Sequence, residues 1–268
     1  MKGSETGGTA REEMQSHFSQ IANAYRDLRT TDIEPILYIK EKLGNPSPLR
    51  ALDIGCGAGR YDVLLMERLP IQSLTCADAN PDMLEEAKRH LAESGFAGFE
   101  ALVSRVEDLS IKEGSLDCIF TFNAVHHFDF KTFLRKSKAF LTTGGRVFIY
   151  TRLPEQNEMS IWGRCFPGFN EKETRLFELE EMERGVGETE GLEVEEIRRF
   201  QYQRVSSLER LLAQVREKHY STFSLYSADD REEAAERFAS NVRRDFPDPD
   251  NVRWLDGNIM VELRRTPA

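Results

Sequence analysis

The feature that most constrains this chain is a short apolar strand that runs straight into three glycines at alternate positions. The run reads Leu52-Asp53-Ile54-Gly55-Cys56-Gly57-Ala58-Gly59-Arg60. Glycine permits backbone angles closed to other residues and lets a ligand press against the main chain. In an open α/β sheet, the carboxyl end of a strand is where ligands bind. The next apolar stretch, residues 73–77, ends at Asp78. An acid at that position accepts hydrogen bonds from ribose hydroxyls. Loop and acid together predict a nucleoside-binding site, whereas a tight strand-to-helix turn would explain the glycines alone. The spacing is GxGxG, not the dinucleotide GxGxxG, and no Lys-Ser/Thr follows as in a phosphate loop.

The surrounding pattern alternates strand and helix. Asn80 caps a helix with Pro81 in its first turn and Leu84, Ala87 and Leu91 along one face. Residues 99–103 and 116–122 predict the third and fourth strands. Asp129 opens a helix that Gly144-Gly145 ends, and residues 146–151 predict a fifth strand. This rhythm predicts a doubly wound, mostly parallel sheet with helices on both faces. Ahead of it, Phe18, Ile21, Ala22, Tyr25 and Leu28 form one helical stripe. Thr31 with Glu34 has the capping-box pattern for a second helix through Leu43. After Arg152 the rhythm loosens. An irregular stretch covers 154–169, a charged helix 172–184 and a sixth strand 192–202. Ser206 with Glu209 forms another capping box, 219–226 a polar-aromatic connector and 258–263 a closing strand. The expected organisation is a disordered tail (1–14), an N-terminal helical cap (15–45), an α/β binding core (46–152), and lid insertions with strands completing the sheet (153–268).

Composition narrows the partners. Of 268 residues, 36 are Lys or Arg and 46 Asp or Glu, for a net charge of -10. That opposes binding along a nucleic-acid backbone. No apolar run approaches the ~20 residues that span a bilayer. The four cysteines are scattered without CxxC pairing, so neither a disulfide scaffold nor a metal site is expected. The expectation is a cytoplasmic protein with no metal, nucleic-acid or membrane partner.

Taken together, these residues resemble the class I S-adenosylmethionine (SAM)-dependent methyltransferases, in their type 11-like, small-molecule branch. "LDIGCGAGR" is similar to that family's first motif, "ADANPDMLEEA" to its second, "GSLDCIFTFNAVHHF" to the segment around the fourth strand, and "LTTGGRVFIY" to the fifth-strand motif. The resemblance covers roughly residues 18–150. It implies a seven-stranded Rossmann-like sheet with the last strand antiparallel, SAM as methyl donor and S-adenosylhomocysteine (SAH) as product. By position it implies Asp53, Gly55, Cys56 and Gly57 around the methionine portion, Asp78 on the ribose, and Ala79 bordering the adenine. Asn123 would meet the methionine amine through its carbonyl, and Tyr25 would come from the helical cap. The family often has an acid at the end of the third strand. Here Arg105-Val106 stands there with Glu107-Asp108 next, so either Glu107 or Asp108 takes that role through a shifted loop or the backbone alone holds the adenine, with Val106 and Glu107 as the site candidates.

Methyl transfer from a sulfonium mainly requires positioning, and a base only where the acceptor must lose a proton. His126 and His127 follow the fourth strand and are the base candidates, against a scaffold role. Arg152, Trp162, Arg164, His219, Tyr220 and Tyr226 lie in the segments expected to cover the site and suit an anionic or aromatic small molecule. The reading is a SAM-dependent methyltransferase acting on a small molecule. Its alternatives are a non-catalytic SAM/SAH-binding subunit, or a methyltransferase acting on protein or RNA.

Overall fold

β1 (Leu49–Ile54) is buried at five of its six positions. A strand covered on both faces needs helices on either side, as parallel sheets require. In this computed structural model residues 30–267 are described; Tyr25 and the stripe around it lie outside them. The sheet has seven strands in the order β3-β2-β1-β4-β5-β7-β6. They are β1, β2 (Ile71–Asp78), β3 (Phe99–Val103), β4 (Leu116–Phe122), β5 (Leu141–Thr151), β6 (Leu192–Ser206) and β7 (Val252–Arg265). β1 pairs in parallel with β2 and β4, β2 with β3, and β4 with β5. β7 is antiparallel to β5, with Ile149 opposite Val261. The strand order reverses between β1 and β4, which sets a ligand crevice at their carboxyl ends.

The described helices are α1 (Glu34–Leu43), α2 (Arg60–Arg68), α3 (Pro81–Glu93), α4 (Phe130–Phe140), α5 (Pro154–Met159), α6 (Ile161–Cys165), α7 (Phe169–Lys172), α8 (Leu179–Gly187), α9 (Leu208–Arg216) and α10 (Ala228–Asp245). Among the described residues, no helix is long and apolar enough to cross a membrane.

Residues 30–153, 177–200 and 258–267 make one compact unit. One of its cores packs Leu52, Ile119, Phe133, Val147 and Val261 with Met182 and Val186 of α8. The other joins Ile36 and Ile39 of α1 to Leu65, Leu74, Phe120 and Phe148. Residues 154–176 and 201–257 make a second unit with its own core of Trp162, Phe166, Phe169, Phe223, Phe238 and Val242.

Several expected boundaries move. The Thr31–Glu34 capping box is absent: α1 starts after Ile33 with no side-chain cap, and the Thr31 hydroxyl accepts from Arg60 Nε instead. Ser207, not Ser206, caps α9, accepting from the Arg210 amide at 3.2 Å. The charged helix splits into α7 and α8, because Glu178 and Glu181 form a capping box that starts a new helix. Strand residues extend beyond the expected ends of β6, to Ser206, and ahead of the expected start of β7, to Val252.

Candidate functional site

The three loop glycines all adopt left-handed backbone angles, at φ 76°, 55° and 73° for Gly55, Gly57 and Gly59. A side chain there would be strained whatever the space. At Gly55 there is no space either. A Cβ would lie 2.5 Å from the Ala124 Cβ and 3.0 Å from the Phe128 ring. The loop after β1 is thereby pressed against the segment after β4. The Gly55 amide donates to the Ala77 carbonyl at 2.7 Å, which ties it to β2 as well.

Asp78 ends β2 and holds the loop. Its carboxylate accepts from the Gly57 amide at 2.9 Å and from the Asn80 amide at 2.8 Å. Asn80 in turn caps α3 by accepting from the Met83 amide. Burial pushes the Asp78 carboxyl up, and the amides of Asn80, Gly57 and Ala79 oppose that. Each carboxylate oxygen keeps a lone pair for a second donor, so Asp78 has acceptor capacity beyond the contacts that hold the loop.

Asp53 and Asp62 are buried beneath the loop, with 1% and 0% exposure. Burial and mutual contact push Asp53 well above the usual carboxylate range, and burial raises Asp62. The Cys56 thiol sits against that of Cys76, and this contact and burial keep it protonated. Cys56 therefore offers the site its backbone rather than a thiolate nucleophile.

At the end of β4, Asn123 has φ 54°, a conformation that a non-glycine residue holds only when its surroundings impose it. Its amide donates to the Tyr150 carbonyl at 2.7 Å. Its side-chain oxygen accepts from Asn258 Nδ2 at 3.0 Å, which also donates to the Thr151 carbonyl at 3.1 Å. Asn258 is a support that sequence reading missed, since nothing local marks a β7 residue as the brace of a β4 turn. His126 and His127 follow on one 3₁₀ turn (Val125–His127), both half-buried, with ring centroids 4.1 Å apart. Ala124 and Phe128, which flank that turn, are the residues that crowd Gly55.

The segment after β3 approaches β2 through the Ser104 amide, which donates to the Asp78 carbonyl at 2.9 Å. Val106 is buried in the core. Arg105 Nε donates to Glu107 at 3.0 Å, so the arginine in the usual acid position pairs with its neighbour. Ala79 is exposed beside Asp78.

Arg152, nearly buried, follows β5 in this unit. The remaining acceptor candidates belong to the second unit. Trp162 stacks on Phe238 at 5.2 Å and meets Phe223 edge-on at 5.2 Å. The Tyr226 hydroxyl donates to the Pro167 carbonyl at 2.8 Å. His219 is buried with its ring 4.8 Å from that of Tyr220. Arg164 is exposed, 5.9 Å over the Phe246 ring. It lines a cavity of about 530 Å³ with Met159, Gln203, Arg253, Trp254 and Leu255. Sequence reading missed Arg253 and Trp254, which fall in the extension of β7 ahead of its expected start. Among the described residues, no group of three or more His, Cys, Asp or Glu is arranged to hold a metal ion.

A mostly parallel sheet with β7 antiparallel to β5, a left-handed glycine loop at the switch point and an acid ending the second strand make a Rossmann-like methyltransferase fold. Residues 51–145 match the family model described as "Methyltransferase domain". The malonyl-[acyl-carrier protein] O-methyltransferase of Anoxybacillus flavithermus is 31% identical over 100 residues, which span 37% of this chain and 37% of that relative. A solved protein of Bacillus halodurans C-125 superimposes with a TM-score of 0.64 at 14% identity, covering 89% of this chain and 100% of that one. The geranyl diphosphate C-methyltransferase of Streptomyces coelicolor A3(2), solved with S-adenosyl-L-homocysteine, superimposes with a TM-score of 0.54 at 16% identity, covering 86% and 74%. At these identities the structures speak for the fold.

Proposed function

We propose that this protein transfers a methyl group from SAM to an anionic or aromatic small molecule. One observation carries the reading: the Gly57 amide and the Asp78 carboxylate join the glycine loop to the second strand as a single nucleoside cradle. The residues fit the ligand. Gly55 brings bare backbone against the segment after β4, and buried carboxyl oxygens of Asp53 and Asp62 meet no nitrogen or hydroxyl donor among the described residues. Asp53 with the backbone of Gly55, Cys56 and Gly57 would hold the methionine end, and the Asn123 carbonyl would take its ammonium. Asp78 would take the ribose, and Ala79, Val106 and Glu107 would border the adenine. Tyr25 keeps its proposed place in the site although it lies outside the described residues.

SAM supplies an activated methyl on a sulfonium, so the chain's own work is to orient donor and acceptor in line and exclude water. His126 or His127 takes the acceptor's proton at a ring nitrogen where the acceptor is a hydroxyl or an acidic carbon. In the second unit, Arg164 and Arg253, which line one cavity, suit a carboxylate or phosphate, and Trp254 an apolar or aromatic body. Arg152 and Tyr220 are acceptor contacts in this reading. Trp162, His219 and Tyr226 contribute by shaping the unit that carries them. The acidic acceptor in the name of the Anoxybacillus relative supports an anionic substrate. The protein works in the cytoplasm.

Calorimetric titration with SAM, SAH and NAD in parallel tests the cofactor. Micromolar binding of SAM and SAH with silence for NAD supports it, and no binding of either overturns it. Methyl transfer to small acidic or aromatic acceptors tests the reaction. Tight binding without turnover would favour a SAM/SAH-binding subunit instead.

A further inference from the structure

The acids beneath the loop do something that the cofactor reading alone does not require. Asp53 lies on β1, and Asp62 lies in the first turn of α2 on the far side of the glycine loop. Both are at least 99% buried, and the two carboxyls are hydrogen-bond neighbours. Yet Asp53 Oδ1 and both oxygens of Asp62 meet no nitrogen or hydroxyl donor among the described residues, and the uncharged Cys76 thiol beside Asp62 brings no positive charge. Ionised carboxylates are acceptors only, so two of them in contact are mutually repulsive and unsatisfied. One proton resolves this, because the protonated carboxyl then donates to the ionised one.

We propose that Asp62 and Asp53 share one proton in the free protein, and that binding the cationic methionine end of SAM expels it, which makes Asp62 a positioning residue for Asp53. This rests on the reading of the loop as a SAM site. The first turn of a helix favours negative charge, so the charge sits on Asp62 and Asp53 carries the proton. Among the described residues, the groups facing the pair do not offer an alternative partner of opposite charge. Asp78 on β2 is a third acid acting on it. Cys56 in the loop and Cys76 on β2 face it as thiols held protonated. His90 of α3 lies against the Ala58 carbonyl at 3.3 Å. Arg60 of α2 reaches instead to Thr31 and to the Thr30 carbonyl. An arriving cation favours the ionised form of Asp53. The carboxyl O–H bond breaks, the electron pair stays on oxygen and the proton leaves to solvent, with no oxidation or reduction.

The experiment is SAM titration calorimetry at pH 6–7 in buffers of different ionisation enthalpy, on the whole protein and on Asp62→Asn. In the variant an amide N–H donates to an Asp53 that is already ionised. Asp62→Ser offers a hydroxyl for the same purpose should the amide fail to fold. Wild type is expected to release up to one proton more per SAM bound than either variant, and its affinity to rise up to tenfold more per pH unit. The ligand's own amino group titrates equally in all three and cancels. Equal proton release in wild type and variants overturns the proposal. Carbon NMR of labelled aspartates in the free protein reads the pair independently of SAM. One carboxyl titrating far above the ordinary range, and lost in the variants, is expected; ordinary titration of all aspartates overturns sharing. A raised titration in a protein that binds no SAM would overturn the cofactor reading, and the expulsion with it, while leaving the shared proton standing.

Discussion

Gly57 donates its amide to Asp78 at 2.9 Å, across the gap between the loop after β1 and the end of β2. Asp78 therefore fixes the loop, and in the proposed reading it also faces the ribose. Asp78→Ala is expected to weaken SAM binding by more than ~1 kcal/mol, the lower end for hydrogen bonds to a charged group. Asp78→Asn keeps an acceptor for one amide only and is expected to fall between the two. Calorimetry on all three proteins checks this, and equal affinities would remove Asp78 from the ribose.

Gly55→Ala places a methyl 2.5 Å from the Ala124 Cβ at a backbone angle of 76°. The strain at the angle alone costs about 1–3 kcal/mol, and the clash adds to it. A markedly lower melting temperature and loss of SAM affinity together are expected. Wild-type melting would show that the segment after β4 yields.

Glu262 of β7 is fully buried, accepting from the Tyr38 hydroxyl at 3.1 Å and paired with the Arg146 guanidinium. Tyr38→Phe removes one hydrogen bond and is expected to cost about 1 kcal/mol. Glu262→Ala leaves both partners unmatched. Since Arg146 is a quarter exposed, the expected loss is about 2–3 kcal/mol, below the ~3–5 of a wholly buried broken pair. Urea unfolding of the two variants gives the order, and a smaller loss for Glu262→Ala would refute it.

In the second unit, Glu173 is buried, and although burial pushes its carboxyl up, Arg175 and Thr222 hold it below the usual range. A carboxyl lowered in the folded state contributes stability above its unfolded value, near ~4.3, and loses it as pH falls through the folded value. Wild type is therefore expected to lose thermal stability below about pH 4.3 more steeply than Glu173→Gln. Parallel melting curves down to pH 3 would show that the Arg175 pairing contributes nothing.

His127→Ala is expected to abolish turnover on an acceptor that must lose a proton while leaving SAH affinity within twofold. Near-normal turnover would return His127 to the scaffold and leave His126, its ring neighbour, as the group to test.

The alternation of apolar strands with capped helices, the glycine spacing and the acid of Asp78 were legible because each is local. A left-handed turn, a helix cap or a strand face is set by residues within a few positions of one another. That is why the parallel sheet and the loop could be placed from the chain alone, and why Asn80 caps α3 where expected. Local pattern failed where a distant group competed. Thr31 gives its hydroxyl to Arg60 rather than to a helix start. Only tertiary structure joins Asn258 to Asn123, 135 positions away, and only tertiary packing buries Asp53 and Asp62 against each other. Trp162 is core in its own unit because Phe223 and Phe238 close around it, a fact no window of sequence contains. The sequence determined the elements and the loop's backbone. Packing across long separations decided which side chains are charged and which brace the site, because desolvation and contact depend on neighbours the chain brings back from afar.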